Sequence, residues 1–222
     1  MQLRILTIFI IFSIINVHSD EIPIITITAP SKKPQSISTV GTSVTILDEK
    51  FLSNSTEHFL GDVLSTTLTS ANFFQSGGHG TASAIQLRGM PKRYSTVYID
   101  GVKMSDPSSV SGDFDFNNIL TSQVSRVEIL KGNQSSIYGS GAIGGTIHVF
   151  TKQGKSGSSK DIQYIAGSHD THNISASLSG GNNNSKYYLG IQRFQTDGIS
   201  QMTHNDEKDR YRNNGLIASY SK

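Results

Sequence analysis

The chain is 222 residues long, with 16% charged side chains, a formal net charge of +2 and no cysteine. Without cysteine there is neither a disulfide framework nor a thiolate metal site. Without a basic block there is no electrostatic footprint for nucleic acid, and the abundance of Gly, Ser, Thr and Asn suits a β-rich chain with many turns.

Residues 1–19 stand apart. Arg4 gives a small positive start, and ILTIFIIFSIINV (5–17) is an apolar run too short to span a bilayer comfortably. Val17 and Ser19 occupy the minus-three and minus-one positions of a cleavage site, so 1–19 reads as a secretory signal peptide. Residues 20–35 follow as a unit in which Ile and Thr alternate between prolines. A short β-prone segment at a mature N-terminus, with no neighbour of its own to pair with, can add as an edge strand to another protein's sheet.

Residues 36–47 read as the first domain strand, with Val44 and Ile46 on one face. Asn54-x-x-Glu57 is a weak capping pattern, and Phe59, Leu60, Val63 and Leu64 recur at helical spacing, predicting a short amphipathic helix over 56–66 whose apolar stripe is core. A strand from Asn72 leads into the SGGHG turn, where His79 has no partner at metal-ligand spacing and reads as a solvated loop histidine. Residues 84–88 form a strand, and 96–104 a hairpin whose Asp100-Gly101 supplies the positive-φ turn. Residues 104–115 are an exposed polar loop in which Asp106, Asp113 and Asp115 lack calcium-loop spacing. Arg88 and Lys131 each end an apolar strand run. Both are expected to be partly buried, and a buried charge requires a partner.

Residues 124–151 organise the rest as strand, polar turn, glycine-rich corner and strand. Gly139-x-Gly141-x-x-Gly144 satisfies a dinucleotide-binding pattern, but that pattern needs a helix next and TIHVF favours strand. Residues 152–160 are a Gly/Ser/Lys linker, after which the pattern changes. Ile162, Tyr164 and Ala166 alternate with polar or small neighbours, as do Ile174, Ala176 and Leu178, then Tyr187, Leu189 and Ile191, then Leu216, Ala218 and Tyr220. Alternation with tight turns and one longer loop is the outer-membrane barrel signature, and an ordinary antiparallel sheet on a soluble core would alternate likewise. The longer loop carries Asp197, Asp206, Glu207 and Asp209, with Lys208 and Arg210 neutralising part of their charge, and reads as a solvated acidic loop.

AIQLRGM, VYIDGVKM, RVEILKG and SSIYGSGAIGGTIHV occur in that order over about half the chain. Together they resemble the plug domain of TonB-dependent outer-membrane receptors. QSGGHG and VSGDFDF give a resemblance to the vitamin B12 type. One departure is Gly132-Asn133, where many members carry Gly-Pro, which leaves that turn less rigid.

The resemblance implies an α+β plug domain with a small mixed sheet, followed by the first antiparallel strands of an incomplete transmembrane β-barrel. The divisions are a signal peptide (1–19), a TonB box and linker (20–35), the plug (36–151), a linker (152–160) and barrel strands (161–222). Ile24, Ile25, Thr26, Ile27, Thr28 and Ala29 sit where the family keeps its TonB box, and TonB of the inner membrane is the implied partner and source of energy. Arg88 and Lys131 match basic positions that face carboxylates on the barrel wall, Lys131 lacking the bidentate fork of the commoner Arg. The loops holding Gly78, His79, Ser105, Asp106, Ser109 and Ser111 would face the substrate, cobalamin ahead of a ferric siderophore. In the B12 type the long loop can carry calcium ligands, and Glu207 and Asp209 fit that pattern only loosely. No cofactor or catalytic set is implied.

A plugged transporter barrel has about 22 strands and needs on the order of 300 to 500 residues. Residues 161–222 cannot close one, so the sequence reads as a fragment of a longer receptor. The alternative is a stand-alone periplasmic plug-like binding module without transport.

Overall fold

A computed structural model describes residues 26–29, 31–109, 112, 114–202, 204 and 207–222. Ile24, Ile25, Ser111 and Asp206, and the whole of the expected signal peptide, lie outside the described residues.

In chain order the strands are β1 (Thr26–Ile27), β2 (Gln35–Ser36), β3 (Ser43–Leu47), β4 (Ala71–Gln75), β5 (Ser83–Leu87), β6 (Ser95–Ile99), β7 (Val102–Met104), β8 (Val124–Lys131) and β9 (Gly145–Thr151). Four long strands follow: β10 (Gly157–Gly167), β11 (Thr171–Gly181), β12 (Lys186–Thr196) and β13 (Tyr211–Ser221). The α-helices are α1 (Glu49–Asn54), α2 (Leu60–Thr67) and α3 (Ser135–Tyr138).

The helical stripe expected over 56–66 is α2, which starts later, at Leu60, and a separate short helix, α1, precedes it. Asp48 caps α1, its carboxylate accepting from Phe51 N at 2.7 Å, and Asn54 is the last residue of that helix rather than a cap. A side-chain oxygen in that position satisfies an orphan N–H of the first turn. Ser55 then leaves helical geometry, and α2 begins only after Phe59. The expected strand over 36–47 likewise breaks into β2, a short 3-10 turn and β3.

Five strands form one mixed sheet in the order β3-β8-β9-β6-β7, with β6 and β9 parallel and the other pairs antiparallel. Asp100 and Gly101 turn β6 into β7 with φ of 47° and 84°, the two positive values that a tight right-twisted hairpin requires. One face carries Leu47, Val127, Ile129, Ile147, Val149 and Val97, which join Leu60, Val63, Leu64, Ile85, Leu87 and Phe116 in the main core. The opposite face carries a cross-strand row of Ile46, Glu128, His148, Tyr98 and Lys103. The glycine corner leads straight into β9 and not into a helix, as expected from TIHVF. Gly145 holds φ +147°, and a Cβ there would strike the Leu130 carbonyl and Leu87 Cδ1.

The four long strands form a separate antiparallel sheet in sequence order. β10 starts at Gly157, inside the stretch read as linker. Ile162, Tyr164, Ile174, Leu178, Leu189, Ile191, Leu216 and Tyr220 are exposed on its outer face. The other face turns Asn173, Tyr188, Gln192 and Phe194 inward to burial. The alternation read from the sequence is thus one apolar outer face and one largely polar inner face.

Candidate functional site

The second face of the mixed sheet is where the N-terminal segment sits. Arg126 and Glu128 lie two residues apart on β8 and so project to the same side. Glu128 is fully buried. Its Oε2 accepts from the backbone N–H groups of Thr28 and Ala29 at 2.9 and 2.8 Å. Its Oε1 accepts from Arg126 Nε at 2.8 Å. Three donors therefore converge on one carboxylate, which is what a buried charge requires to offset its lost hydration. Arg126 also donates through Nη2 to Thr28 Oγ1 at 3.4 Å, and its guanidinium lies 4.2 Å from the centre of the Phe150 ring.

An aromatic wall completes this face. The Tyr138 hydroxyl donates to the Ala29 carbonyl. Tyr98 stacks on His148 with ring centroids 4.8 Å apart at 6°, and Tyr138 leans on both at 4.9 Å. Lys32 Nζ lies 5.2 Å from the Tyr138 ring centre. Burial, with Lys32 adding to it, pushes the His148 imidazole down to about 4, so at neutral pH it is an uncharged ring. Burial also pushes the Tyr138 hydroxyl up to about 12, with Tyr98 and Glu128 contributing, so it stays a donor.

The segment therefore has a neighbour, contrary to the expectation from sequence. Thr26 and Ile27 pair with Ser36 and Gln35 as a short antiparallel ribbon, and Ile27 and Ala29 are buried. Sequence reasoning gave Glu128 no role of its own. The signal it passed over is the spacing of Arg126, Glu128 and Leu130 against Val127 and Ile129, which gives β8 a polar-edged second face needing a cover.

A second region lies where the mixed-sheet domain meets the long strands. Phe59, His79, Phe194 and Tyr211 interleave, with His79 4.9 Å from Phe59 and 5.4 Å from Phe194. Gly80, at φ +85°, lets the turn approach so closely that a Cβ there would lie 2.5 Å from the Tyr211 ring. His79 is thus exposed at one edge but stacked on both bodies, rather than a solvated loop residue. His58 meets Phe194 at 5.3 Å and Asn173 Nδ2 at 3.2 Å from its Nδ1. Asn173 Oδ1 in turn accepts from Gln192 Nε2 at 2.9 Å, and Ser122 donates to Gln192. Burial lowers both histidines, His79 adding to the effect on His58, while Glu57 opposes it. Burial raises Asp62 to about 6, with Glu57 adding to it.

The loops expected to face a substrate are joined at their bases. Ser83 Oγ donates to Asp115 Oδ1 at 2.6 Å, and Asn117 donates to the Thr81 carbonyl. Asp106 accepts from Ser108 N and Oγ at 2.8 and 2.6 Å, and those bonds hold its carboxyl below the usual range. Gly78 lies beside Gln201 of the long loop. Asp197 in that loop takes Lys208 at 2.9 Å and Arg210 at 3.3 Å, so its charge is matched locally. Among the described residues, no cluster of three metal-ligating side chains occurs.

Arg88 differs from the expected partial burial, and Lys131 agrees with it. β5 ends at Leu87, and Arg88 enters the left-handed region at φ +55°, its N–H bonding to the Ser70 carbonyl at 2.7 Å. That turn swings its side chain out, so Arg88 is exposed rather than partly buried, while Lys131 is half-buried. Neither has an ion-pair partner among the described residues.

Residues 36–146 match the family model described as TonB-dependent Receptor Plug Domain. The chain belongs to the TonB-dependent receptors. It is 29% identical over 146 residues to the vitamin B12 transporter BtuB of Photobacterium profundum, which covers 64% of this chain and 24% of that relative. The chain thus spans about a quarter of the length of the curated relative it matches. Among solved structures, the siderophore receptor PiuA of Acinetobacter baumannii superposes with a TM-score of 0.66 at 20% identity, over 84% of this chain and 25% of that one. The pyoverdine outer membrane receptor FpvA of Pseudomonas aeruginosa PAO1 gives 0.68 at 18% identity, over 80% and 25%. These two likenesses show the fold: a plug with its mixed sheet, followed by antiparallel wall strands.

Proposed function

We propose that this chain is the N-terminal part of an outer-membrane receptor that takes up a scarce nutrient, with its plug seated inside a barrel whose first four strands are β10–β13. The observation that carries this reading is the seating itself. The plug meets the polar inner face of the four strands, while Ile162, Leu216 and Tyr220 on their outer face stand 70% or more exposed. Such a face is stable against lipid and unfavourable in water, by roughly 25 cal/mol per Å² of apolar surface. That argues against a soluble plug-like binding module.

In this reading substrate binds above the plug, at the loops holding Gly78, His79, Ser105, Asp106, Ser109 and Ser111. Cobalamin is favoured, on the likeness to a B12 transporter, and a ferric siderophore is second. Residues 24–29 act as the TonB box, and TonB adds them as a strand to its own sheet and supplies the energy. Arg88 and Lys131 face carboxylates on the rest of the wall.

The test is deletion of residues 24–29 in the complete receptor, with radiolabelled cobalamin as probe. Uptake into cells is expected to stop while binding to isolated outer membranes continues. Uptake that survives the deletion overturns the coupling role.

A further inference from the structure

We propose that the outer face of β11–β13 carries, at its long-loop end, a binding site for the phosphate of a membrane glycolipid headgroup, with Arg193 and Arg212 as its ligands. The inference rests on reading β10–β13 as lipid-facing wall, and it adds a partner for the charges on that wall.

The strand register sorts the outer face into levels. Tyr187 lies beside Tyr220 at one end, next to the short turn between β11 and β12. Leu178, Leu189 and Ala218 make the next level, and Ile162, Ala176, Ile191 and Leu216 the one after. Then the character changes. Arg193 and Asn214 continue the level of Tyr164 and Ile174, and beyond them His172, Gln195 and Arg212 stand side by side. That end also bears the long connection from β12 to β13. Outer-membrane barrels keep short turns in the periplasm and longer loops outside. The polar levels therefore fall where hydrocarbon ends in the outer leaflet. Tyr164 marks the boundary as interfacial tyrosines do, with its ring on the face and its hydroxyl 2.7 Å from His172 Nδ1.

The two guanidiniums converge. Arg193 Nη2 donates to Gln195 Oε1 at 3.1 Å, which draws the Arg193 head to the level of Arg212. The two residues are diagonal neighbours on β12 and β13, a relation that sets Cβ atoms about 7–8 Å apart. Both are exposed, and neither has an ion-pair partner among the described residues. The neighbouring carboxylates are already occupied. Asp197 takes Lys208 and Arg210, with Arg212 acting on it from further off, and Asp170 meets His172. Cations therefore stand in excess at this rim, where they meet headgroups rather than bulk water.

The ligand class follows from the donors. A guanidinium fork matches phosphate oxygens two at a time, and two forks on a diagonal can clasp one phosphate from both sides. A cation held at an anionic membrane surface strengthens binding to it. Gln195 and Asn214 flank the forks with amides, which both donate and accept and so suit the hydroxyls of a sugar.

The test titrates the full-length receptor in detergent with lipid A, a glycolipid bearing phosphate on its sugars, and reads bound lipid by native mass spectrometry. Arg193→Gln combined with Arg212→Gln is expected to weaken lipid A binding tenfold or more. Lys160→Gln removes an exposed cation from the same face toward its other end and is expected to change nothing. Equal binding by the double variant, or an equal loss with Lys160→Gln, overturns the site. Phosphatidylglycerol that binds as tightly as lipid A overturns the glycolipid assignment, and displacement by inorganic phosphate overturns a membrane ligand. If the glutamine pair no longer shifts in gel mobility on boiling, Arg193→Lys with Arg212→Lys decides. Charge then stays and the forks go, so a several-fold loss is expected, and no loss overturns the site. Lipid A held by both arginines in a receptor that imports no cobalamin would refute the uptake reading alone. Normal uptake with lipid A binding indifferent to both arginines would refute this site alone.

Discussion

Phe194 of the wall meets Phe59 of the plug edge-on, with ring centroids 4.9 Å apart and planes at 77°. Both rings are almost wholly buried, and His58, His79 and Tyr211 pack around them. Edge-to-face pairs add roughly 0.5–1.5 kcal/mol beyond area burial, and Phe-to-Ala changes in buried sites cost about 3–5 kcal/mol. The seam is therefore a main anchor of the plug on these four strands. Phe194→Ala in the full receptor is expected to lower the urea midpoint of plug unfolding, while the barrel still shifts in gel mobility on boiling. Loss of the boiling shift as well would mean that Phe194 serves barrel closure instead.

The plug is expected to weaken on acidification, chiefly through His148. Its folded value of about 4 lies below the ordinary 6.5, so between those values the unfolded chain binds more protons. Stability from this group is present above pH 6.5 and lost as pH falls toward 4. At 1.36 kcal/mol per unit the full loss is about 3 kcal/mol. His58 and His79 have the same sign. Asp62 opposes them: raised to about 6, it favours the folded state at low pH and loses that contribution as pH rises from 3.8 to about 6. His148→Gln keeps a polar partner for Thr146, to which the imidazole now bonds at 3.0 Å. The slope of plug stability between pH 4.5 and 6.5 is expected to flatten in that variant. A slope equal to the parent's assigns the acid sensitivity to the seam histidines.

What could be read from the sequence was whatever depends on near neighbours. Asp100-Gly101 specifies its hairpin because both residues must take positive φ, and the alternation after residue 160 fixes which side chains face out. The glycine corner was legible because a strand pattern followed it. The helix boundaries were not. Asp48 was a better cap than Asn54, and nothing at Phe59 marks a helix start by side-chain bonding. The hydrogen bonds of Glu128 were least legible, since it acquires its meaning from amides about a hundred residues upstream that no periodicity connects. His79 looked isolated for the same reason, its ring partners lying at Phe59, Phe194 and Tyr211.

Arg88 offers a direct test of the rest of the barrel wall. On this chain it is an exposed cation at the tip of a left-handed turn, close above Gly132. An exposed ion pair is worth about 0–1 kcal/mol, whereas removing one partner of a buried pair costs about 3–5 kcal/mol. If carboxylates of the remaining wall enclose it, Arg88→Ala in the full receptor is expected to lower plug stability by the larger amount, measured by urea unfolding at low salt. A change under about 1 kcal/mol would mark Arg88 as a solvated surface residue.

The orientation of β13 makes the last prediction. Leu216 is 70% exposed on the outer face, while its neighbours Gly215 and Ile217 turn toward the plug, where Gln123 fills the space beside Gly215. If that outer face contacts lipid, Leu216→Arg places a charge against hydrocarbon at a cost of about 2–4 kcal/mol near the bilayer midplane. Leu216→Phe changes size without charge and is expected to be tolerated. The measurement is the amount of boiling-sensitive receptor recovered in outer membranes. Recovery is expected to fall several-fold for Arg and to stay near the parent for Phe. Equal recovery of both variants would show that Leu216 meets water, and β10–β13 would then have to be covered by protein rather than by lipid.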